Sequence, residues 1–592
     1  MSEPPPISSN AIEVLEKRYL VKNEEGKVVE TPDQMFRRVA RNIAAVNDRY
    51  GDRNVLDEEA EFFWAMRNLE FLPNSPTLMN AGTDIQQLSA CFVIPVEDSI
   101  ESIYESVKEV AMIHQTGGGT GMSFSRLRPT GDVVRSTGGI ASGPVSFMKV
   151  FDAATEAIKQ GGRRRGANMG ILRVDHPDIE RFIAVKEDLT TLSNFNISVA
   201  VTDEFMSRAA RGEDFDLINP RTKMSVRRIS ASYILERIAT SAWKSGDPGM
   251  VFIDTVNRAN PTPGVGELEA TNPCGEVPLL PYEACNLGSI NLNMMMRDDD
   301  KDLDWEKLKA TTDLGIRFLD NVIDANRYPL QQTQRMVHGN RKVGLGIMGF
   351  ADMLVRMNVR YGSERSLEIA DRLISFIRKE ADQASRRIAG SRGNFPNIDR
   401  SVISGPRRNA TVLSIAPTGT LSMIASCSSG IEPYYALSYS KNVLGGAQLK
   451  EINPHFLAAA KKGGFYSSEL LQAISTAWSI QRLESVPPDV REVYVTSHDV
   501  PQEEQIDIQA IFQRHVDNAV SKTINLPESA TWKDVYNAYV RAFAKGCKGI
   551  TAYREGSKPG QVLTTMRDMI SCPTCGRLLR MEEGAMQCES CG

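Results

Sequence analysis

The feature that most constrains this chain is an alternation. Short apolar runs that end in Gly, Thr or Ser loops take turns with amphipathic helical stretches. Residues 196–201, 342–350 and 411–416 are such runs. Residues 365–387 are a helical stretch, with Leu367, Ala370, Leu373, Ile374, Ile377, Ala381 and Ala384 on one stripe. The pattern predicts an α/β core with parallel strands. The 592 residues can bury a large core without a disulfide scaffold. Length alone suggests about four units at roughly 150 residues each.

Before the alternation begins, Thr31-Pro32 reads as an N-cap followed by Pro at the first helical position. Phe36, Val39, Ala40, Ile43 and Val46 then share a face, and residues 57–70 read as a second helix. Residues 1–70 are therefore expected to be a helical region, its first ten Pro- and Ser-rich positions frayed. The acidic run at 297–302 reads as a solvated loop. A linker is expected at 556–570 and a Cys-rich module at 571–592.

Formal charge is 69 − 74 = −5, which argues against a broad basic face for duplex nucleic acid but not against small anions in a local pocket. The N-terminus lacks a basic stretch followed by an apolar run, and no segment reaches 18 consecutive apolar residues. No membrane span is expected, and a reducing cytoplasm is the default location.

Four of the nine Cys fall in the last 21 residues, as Cys572-Pro-Thr-Cys575-Gly and Cys588-Glu-Ser-Cys591-Gly. Two CxxC knuckles, each followed by Gly, point to four thiolates around tetrahedral Zn²⁺. Redox work by the same thiols is an open second reading.

The centre of the chain carries Asn272-Pro273-Cys274-Gly275-Glu276, with Cys285 nearby. Pro and Gly exclude Cys274 from a helix interior or a central strand, so it belongs on a tight loop. Asn272 and Glu276 lie two residues to either side, where an amide, a thiol and a carboxylate can converge on one ligand. A carboxylate beside a thiol in a closed site is a candidate general base. Upstream stand the hydroxyl-rich turn with Ser75 and Thr77, and a strand-like run through Ala90 and Cys91. The Gly run 117–121, which includes Gly119, lets backbone approach a ligand. Residues 159–166 form a basic loop with three successive Arg. The segment Pro417-Thr418-Gly419-Thr420-Leu421-Ser422 follows a strand, where hydroxyls and free amides make a phosphate cradle. It lacks the Lys of a P-loop.

Together the motifs LPNSPTLMNAG, LSACFV, GGGTGMSFSRLRP, QGGRRRGANMG, NPCGE, CNLGSINL, APTGTLS and GIEP resemble those of a ribonucleotide reductase large chain, most closely the adenosylcobalamin-dependent kind. The resemblance covers roughly residues 12–555 and the Cys-rich tail. It implies a ten-stranded α/β barrel of two antiparallel halves, each of five parallel strands, over residues 71–555. A central finger loop would carry Cys274.

It also implies roles. Cys274 would be the thiyl radical that takes the 3′ hydrogen. Glu276 would deprotonate the 3′ hydroxyl, and Asn272 would bind the substrate hydroxyls. Cys91 and Cys285 would be the reducing dithiol. Ser75, Thr77, Ala90, Gly119 and Pro417–Ser422 would hold the substrate. Asp98, Arg128, Lys159, Gln160 and Arg164 would serve a dNTP or ATP specificity effector at a dimer interface. External thiols of the thioredoxin or glutaredoxin kind would regenerate the pair. Cys427 and Cys547 are left without a role.

Three departures separate this chain from related classes. The finger reads Asn-Pro-Cys-Gly-Glu where the class with a separate radical-generating metallo-subunit reads N-L-C-x-E. A single Tyr553 stands where that class has a Tyr pair, and a glycyl-radical motif is missing. That class remains the alternative. A catalytically dead nucleotide-binding relative and a Zn-ribbon nucleic-acid binder are weaker readings, disfavoured by the five retained site residues and by the net acidity.

Overall fold

A computed structural model of the chain describes residues 5–134, 138–159, 166–443 and 447–558, with short strands at 563–564, 580–582 and 585–587. The lead-in is helical: α1 (Ser9–Arg18), α2 (Pro32–Ala44) and α3 (Val55–Arg67). Thr31 and Gln34 close a reciprocal capping box at the start of α2. Phe36, Val39, Ala40 and Ile43 are fully buried, on the face the spacing predicts. The expected frayed end is partly tied down, because the Ser8 side chain caps α1 and Arg67 donates to the Pro5 carbonyl. Among the described residues, no helix is long and apolar enough to cross a membrane.

Strands β1 (Phe71–Pro73) and β2 (Cys91–Val93) come next, then helix α4 (Ile100–Gln115). They are followed by β3 (Gly119–Ser123), β4 (Asn168–Arg173), β5 (Phe195–Val201) and β6 (Gly249–Phe252). From β2 to β6 each strand pairs in parallel with the next. A second set begins with β7 (Ala284–Asn291) and, after helix α5 (Trp305–Ala325), continues with β8 (Val343–Met348). Helix α6 (Glu364–Arg392) follows, and the set ends with β9 (Thr523–Leu526) parallel to β10 (Gly549–Arg554).

Between β8 and β9 runs the segment 411–416. It makes single-residue parallel bridges, Leu345 to Leu413 and Ile415 to Val520, in place of a regular ladder. The Asp517 carboxylate accepts the Val412 and Leu413 N–H groups at 2.8 and 3.1 Å, which diverts them from strand pairing. Antiparallel contacts join the two sets at both ends, β2 with β7 and β6 with β10. Five parallel strands of one set, and four strands with the bridged segment 411–416 of the other, thus close a ring, and β1 lies along the outer part of β7. Its lining of Val93, Ile171, Val251, Leu279 and Leu287 forms an apolar cluster of its own, and Cys91 and Cys285 belong to it.

Helix α5 packs under this ring, and the buried Arg317 on it donates to Glu58 and Glu61 of α3. Asp313 also pairs with Arg317 and Arg53 with Glu58, so the buried charges are compensated from several sides.

Candidate active site

A hairpin enters the ring between β6 and β7, with Ala270–Thr271 pairing Pro278–Leu279. Its turn is closed on itself. Asn272 N–H donates to the Val277 carbonyl at 3.3 Å, and Val277 N–H donates to Asn272 Oδ1 at 3.0 Å. Gly275 sits at φ +82°, a conformation that a side chain strains. Both halves of the ring grip this turn. Asn196 of β5 donates to the Pro273 carbonyl at 2.7 Å, while Ser414 Oγ and Ala519 N–H donate to the Glu276 carbonyl at 2.9 and 2.8 Å.

Glycine in β3 makes the entry possible. A Cβ on Gly121 would lie 1.6 Å from the Thr271 carbonyl oxygen, and one on Gly119 would lie 3.1 Å from Pro273. The Gly run read as a ligand approach therefore also admits the hairpin backbone.

At the tip, Cys274 is exposed, while Asn272 and Glu276 are buried beside it. Cys91 on β2 and Cys285 on β7 are direct partners across the antiparallel seam, both buried and both free cysteines. Opposed residues of such a pair have Cα atoms about 4.5–5.5 Å apart, within the span of about 4.4–6.8 Å that a disulfide needs. Burial pushes the Cys285 thiol far above its usual range. Lys342 pulls the other way, and Glu283 and Glu276 add to the push. That Glu276 acts on Cys285 places the hairpin carboxylate close to the cysteine pair.

Cys274, Pro273 and Gly275 form one wall of a cavity of about 1040 Å³. Ser428, Ser429, Tyr434, Tyr435, Lys522 and Tyr553 are among its other lining residues. Asp352 backs this wall, accepting from Tyr434 Oη and Ser428 N–H, each at 2.6 Å, and burial raises its carboxyl. Cys427 also faces the cavity, its thiol raised by burial and by Asp352; Cys547 is fully buried.

Pro417 and Ser422 reach the same cavity. Thr418 holds the loop, its hydroxyl accepting the Gly430 N–H at 2.8 Å. Ser422 Oγ pairs with Ser429 Oγ at 2.9 Å, and Leu421 opens the short helix Leu421–Ile424 after Gly419 and Thr420. The end of α1 lies against this loop. Arg18 donates to Thr420 Oγ1 at 3.4 Å, and Tyr19 Oη pairs with Ser75 Oγ at 2.8 Å. Thr77 is fully buried, its hydroxyl between Asn74 Oδ1 and the Leu88 carbonyl. Ala90 N–H donates to the Cys285 carbonyl at 3.2 Å, and Gly119 N–H to the Ala90 carbonyl at 2.8 Å.

Asp98 and Arg128 form one ion pair at 2.8 Å, half-buried. Lys159 ends the helix Pro144–Lys159. Gln160, Arg164 and all four tail cysteines, Cys572, Cys575, Cys588 and Cys591, lie outside the described residues. Among the described residues, no group of three or more His, Cys, Asp or Glu is placed to hold a metal.

Residues 7–86 match the family described as "Ribonucleotide reductase, all-alpha domain". Residues 89–407 and 398–553 match "Ribonucleotide reductase, barrel domain". The chain belongs to the ribonucleotide reductase family. This reductase chain is 46% identical to the vitamin B12-dependent ribonucleoside-diphosphate reductase of Thermoplasma acidophilum, over 94% of its own length and 80% of the relative's. It is 47% identical to the enzyme of the same description from Mycobacterium tuberculosis, over 94% and 81%. The class Id ribonucleotide reductase alpha subunit of Actinobacillus ureae shares the fold, with a TM-score of 0.77 at 22% identity, covering 93% of this chain and 97% of that one.

Arg18, Tyr19, Asn196, Glu283 and Lys342 also belong to this site or support it, yet nothing in their local sequence marks them. Their partners lie tens to hundreds of residues away, so only the fold reveals them.

Proposed function

We propose that the chain reduces ribonucleoside diphosphates to 2′-deoxyribonucleotides with adenosylcobalamin as its radical source. The observation that carries this is the conjunction of Cys274 on a gripped hairpin tip with Cys91 and Cys285 in register at the seam behind it. Relatives at 46% and 47% identity described as vitamin B12-dependent support the cofactor. So does the cavity at Cys274. Its volume stands at the top of the range of about 300–1,000 Å³ common for small-molecule sites. The walls mix hydroxyls of Ser428, Ser429 and Tyr434 with the apolar Met423 and Ile452. A bulky amphipathic cofactor fits such a wall, with Tyr434, Tyr435 and Tyr553 as its holders. When bound, it supplies a radical by homolysis of its Co–C bond.

The chain's residues then divide the work. Cys274 takes the 3′ hydrogen of the ribose. Glu276 accepts the 3′ hydroxyl proton as the 2′ hydroxyl leaves. Asn272 commits its Oδ1 to Val277, which directs its Nδ2 hydrogens to the substrate hydroxyls. Cys91 and Cys285 supply two protons and two electrons. In sum, C2′–OH and two thiols become C2′–H, water and a disulfide. The loop Pro417–Ser422, with Ser75 and Thr77 behind it, receives the phosphates under Arg18.

The Asp98–Arg128 pair serves a dNTP or ATP effector that sets substrate choice in a homodimer. The tail cysteines hold Zn, pass electrons from a thioredoxin-like reductant to the pair, or do both. Cys588→Ser with Cys591→Ser separates these: undiminished multiple turnover with that reductant assigns the tail a purely structural role.

A single-turnover experiment tests the core of this reading. Prereduced chain with substrate and adenosylcobalamin, and without added thiol, should yield about one deoxynucleotide per site and a Cys91–Cys285 linked peptide by mass spectrometry. Product without that linkage would overturn the dithiol assignment.

A further inference from the structure

The charges nearest Cys285 are paired with each other and not with its sulfur. The Lys342 ammonium and the Glu283 carboxylate form an ion pair at 2.6 Å, with side chains only 2% and 1% exposed. Glu283 is also held from other sides, since one oxygen accepts the Leu280 N–H at 2.8 Å and the other accepts from Asn340 Nδ2. The carboxylate thus holds the nearest cation in a buried ion pair. The Cys285 sulfur, in turn, faces acceptors: the Asn286 carbonyl at 3.5 Å and the Lys342 carbonyl at 3.7 Å. Carbonyl oxygens accept from S–H and repel a thiolate.

We propose that Glu283 is a positioning residue for the reductive pair. By holding the Lys342 ammonium in a closed ion pair, it denies Cys285 a cationic partner and keeps that residue a thiol. The inference rests on the reading of Cys91 and Cys285 as the reducing dithiol. Reduction consumes two S–H groups and yields water and a disulfide, so the form that carries hydrogen has to be present when the substrate radical forms. A cysteine beside a free cation drifts toward thiolate, which brings no hydrogen.

The other charged groups near Cys285 agree with this assignment. Glu276 faces it from the hairpin and opposes a thiolate. Lys548, which interacts electrostatically with Lys342, donates to the carbonyls of Asp517 and Asn518 and is itself pushed down to about 8 by burial. Opposite Cys285 stands Cys91.

The S–H stretch, read as a vibrational difference spectrum between the wild-type chain and Cys285→Ser, reports the protonation of Cys285 without any turnover. In the wild type the Cys285 band should persist up to at least about pH 9, above the ordinary cysteine value of about 8.5. Its loss by pH 8 would overturn the proposal, and this measurement needs no variant at Glu283. In Glu283→Gln the band should titrate away at least one pH unit lower than in the wild type, and the alkaline limb of the rate profile should move with it. Wild-type behaviour of the band in a folded Glu283→Gln protein would also overturn the proposal. Because the spectrum is independent of activity, a chain that makes no deoxynucleotide at all refutes the functional reading and leaves this result separately legible.

Discussion

Cys91 and Cys285 stand opposite each other across the seam where the two halves of the barrel meet. One comes from the first strand of the first parallel set, the other from the first strand of the second. The backbone register of an antiparallel pair therefore sets their separation, with no loop to blur it.

Either Cys91→Ser or Cys285→Ser should leave the fold intact, because the hydroxyl is smaller than the thiol and costs about 1–3 kcal/mol to bury. Multiple turnover with dithiothreitol should fall by at least ~100-fold, since neither variant can close the disulfide. Circular dichroism and a turnover assay check both halves of the expectation.

Gly121→Ala places a methyl where the Thr271 carbonyl now lies, 1.6 Å away. Overpacking of this kind costs about 1–3 kcal/mol or more, and here the element that must move is the hairpin. Stability should drop modestly in urea denaturation, whereas kcat should fall by at least ~10-fold, because Cys274 rides on that hairpin.

Arg18 is the cation of α1 at the Thr420 loop. Charge-assisted hydrogen bonds contribute about 1.5–3 kcal/mol, so Arg18→Gln should raise the KM for a nucleoside diphosphate by roughly 10-fold or more. The fall in kcat should be smaller than the rise in KM. An unchanged KM would remove Arg18 from the phosphate site.

How much of this was legible in the sequence depends on the range of each interaction. The capping box at Thr31 and Gln34, the helix at 365–387 and the strand at 196–201 are local patterns, and the structure forms them as Pro32–Ala44, Glu364–Arg392 and Phe195–Val201. The loop character of Cys274 followed from Pro273 and Gly275 alone. Register was not legible, because the pairing of Cys91 with Cys285 joins residues nearly two hundred positions apart. Nor was the second use of the glycines at 119 and 121, which depends on what lies across the barrel. The irregular pairing of 411–416 is set by Asp517, about a hundred residues downstream.

His114 at the end of α4 carries a pH-dependent share of stability. Burial pushes it down from 6.5 to about 4, while the Ala167 backbone pulls weakly upward. Above pH 6.5 the ring is neutral whether folded or unfolded. As pH falls from 6.5 toward 4, the unfolded chain binds a proton that the native chain refuses, and stability is lost. The loss approaches about 3 kcal/mol, since each tenfold difference in proton affinity is worth about 1.36 kcal/mol. His114→Gln should flatten that part of the stability profile; an unchanged slope between pH 6.5 and 4 would contradict the assignment.

The central claim is that this chain makes deoxynucleotides with a cobalamin-derived radical passed to Cys274. Purified chain, a ribonucleoside diphosphate and dithiothreitol should form deoxynucleotide only when adenosylcobalamin is added, and Cys274→Ser should form none while still binding nucleotide. Product formed without the cobalamin once a metallo-subunit is supplied, or appreciable product from Cys274→Ser, would contradict the account.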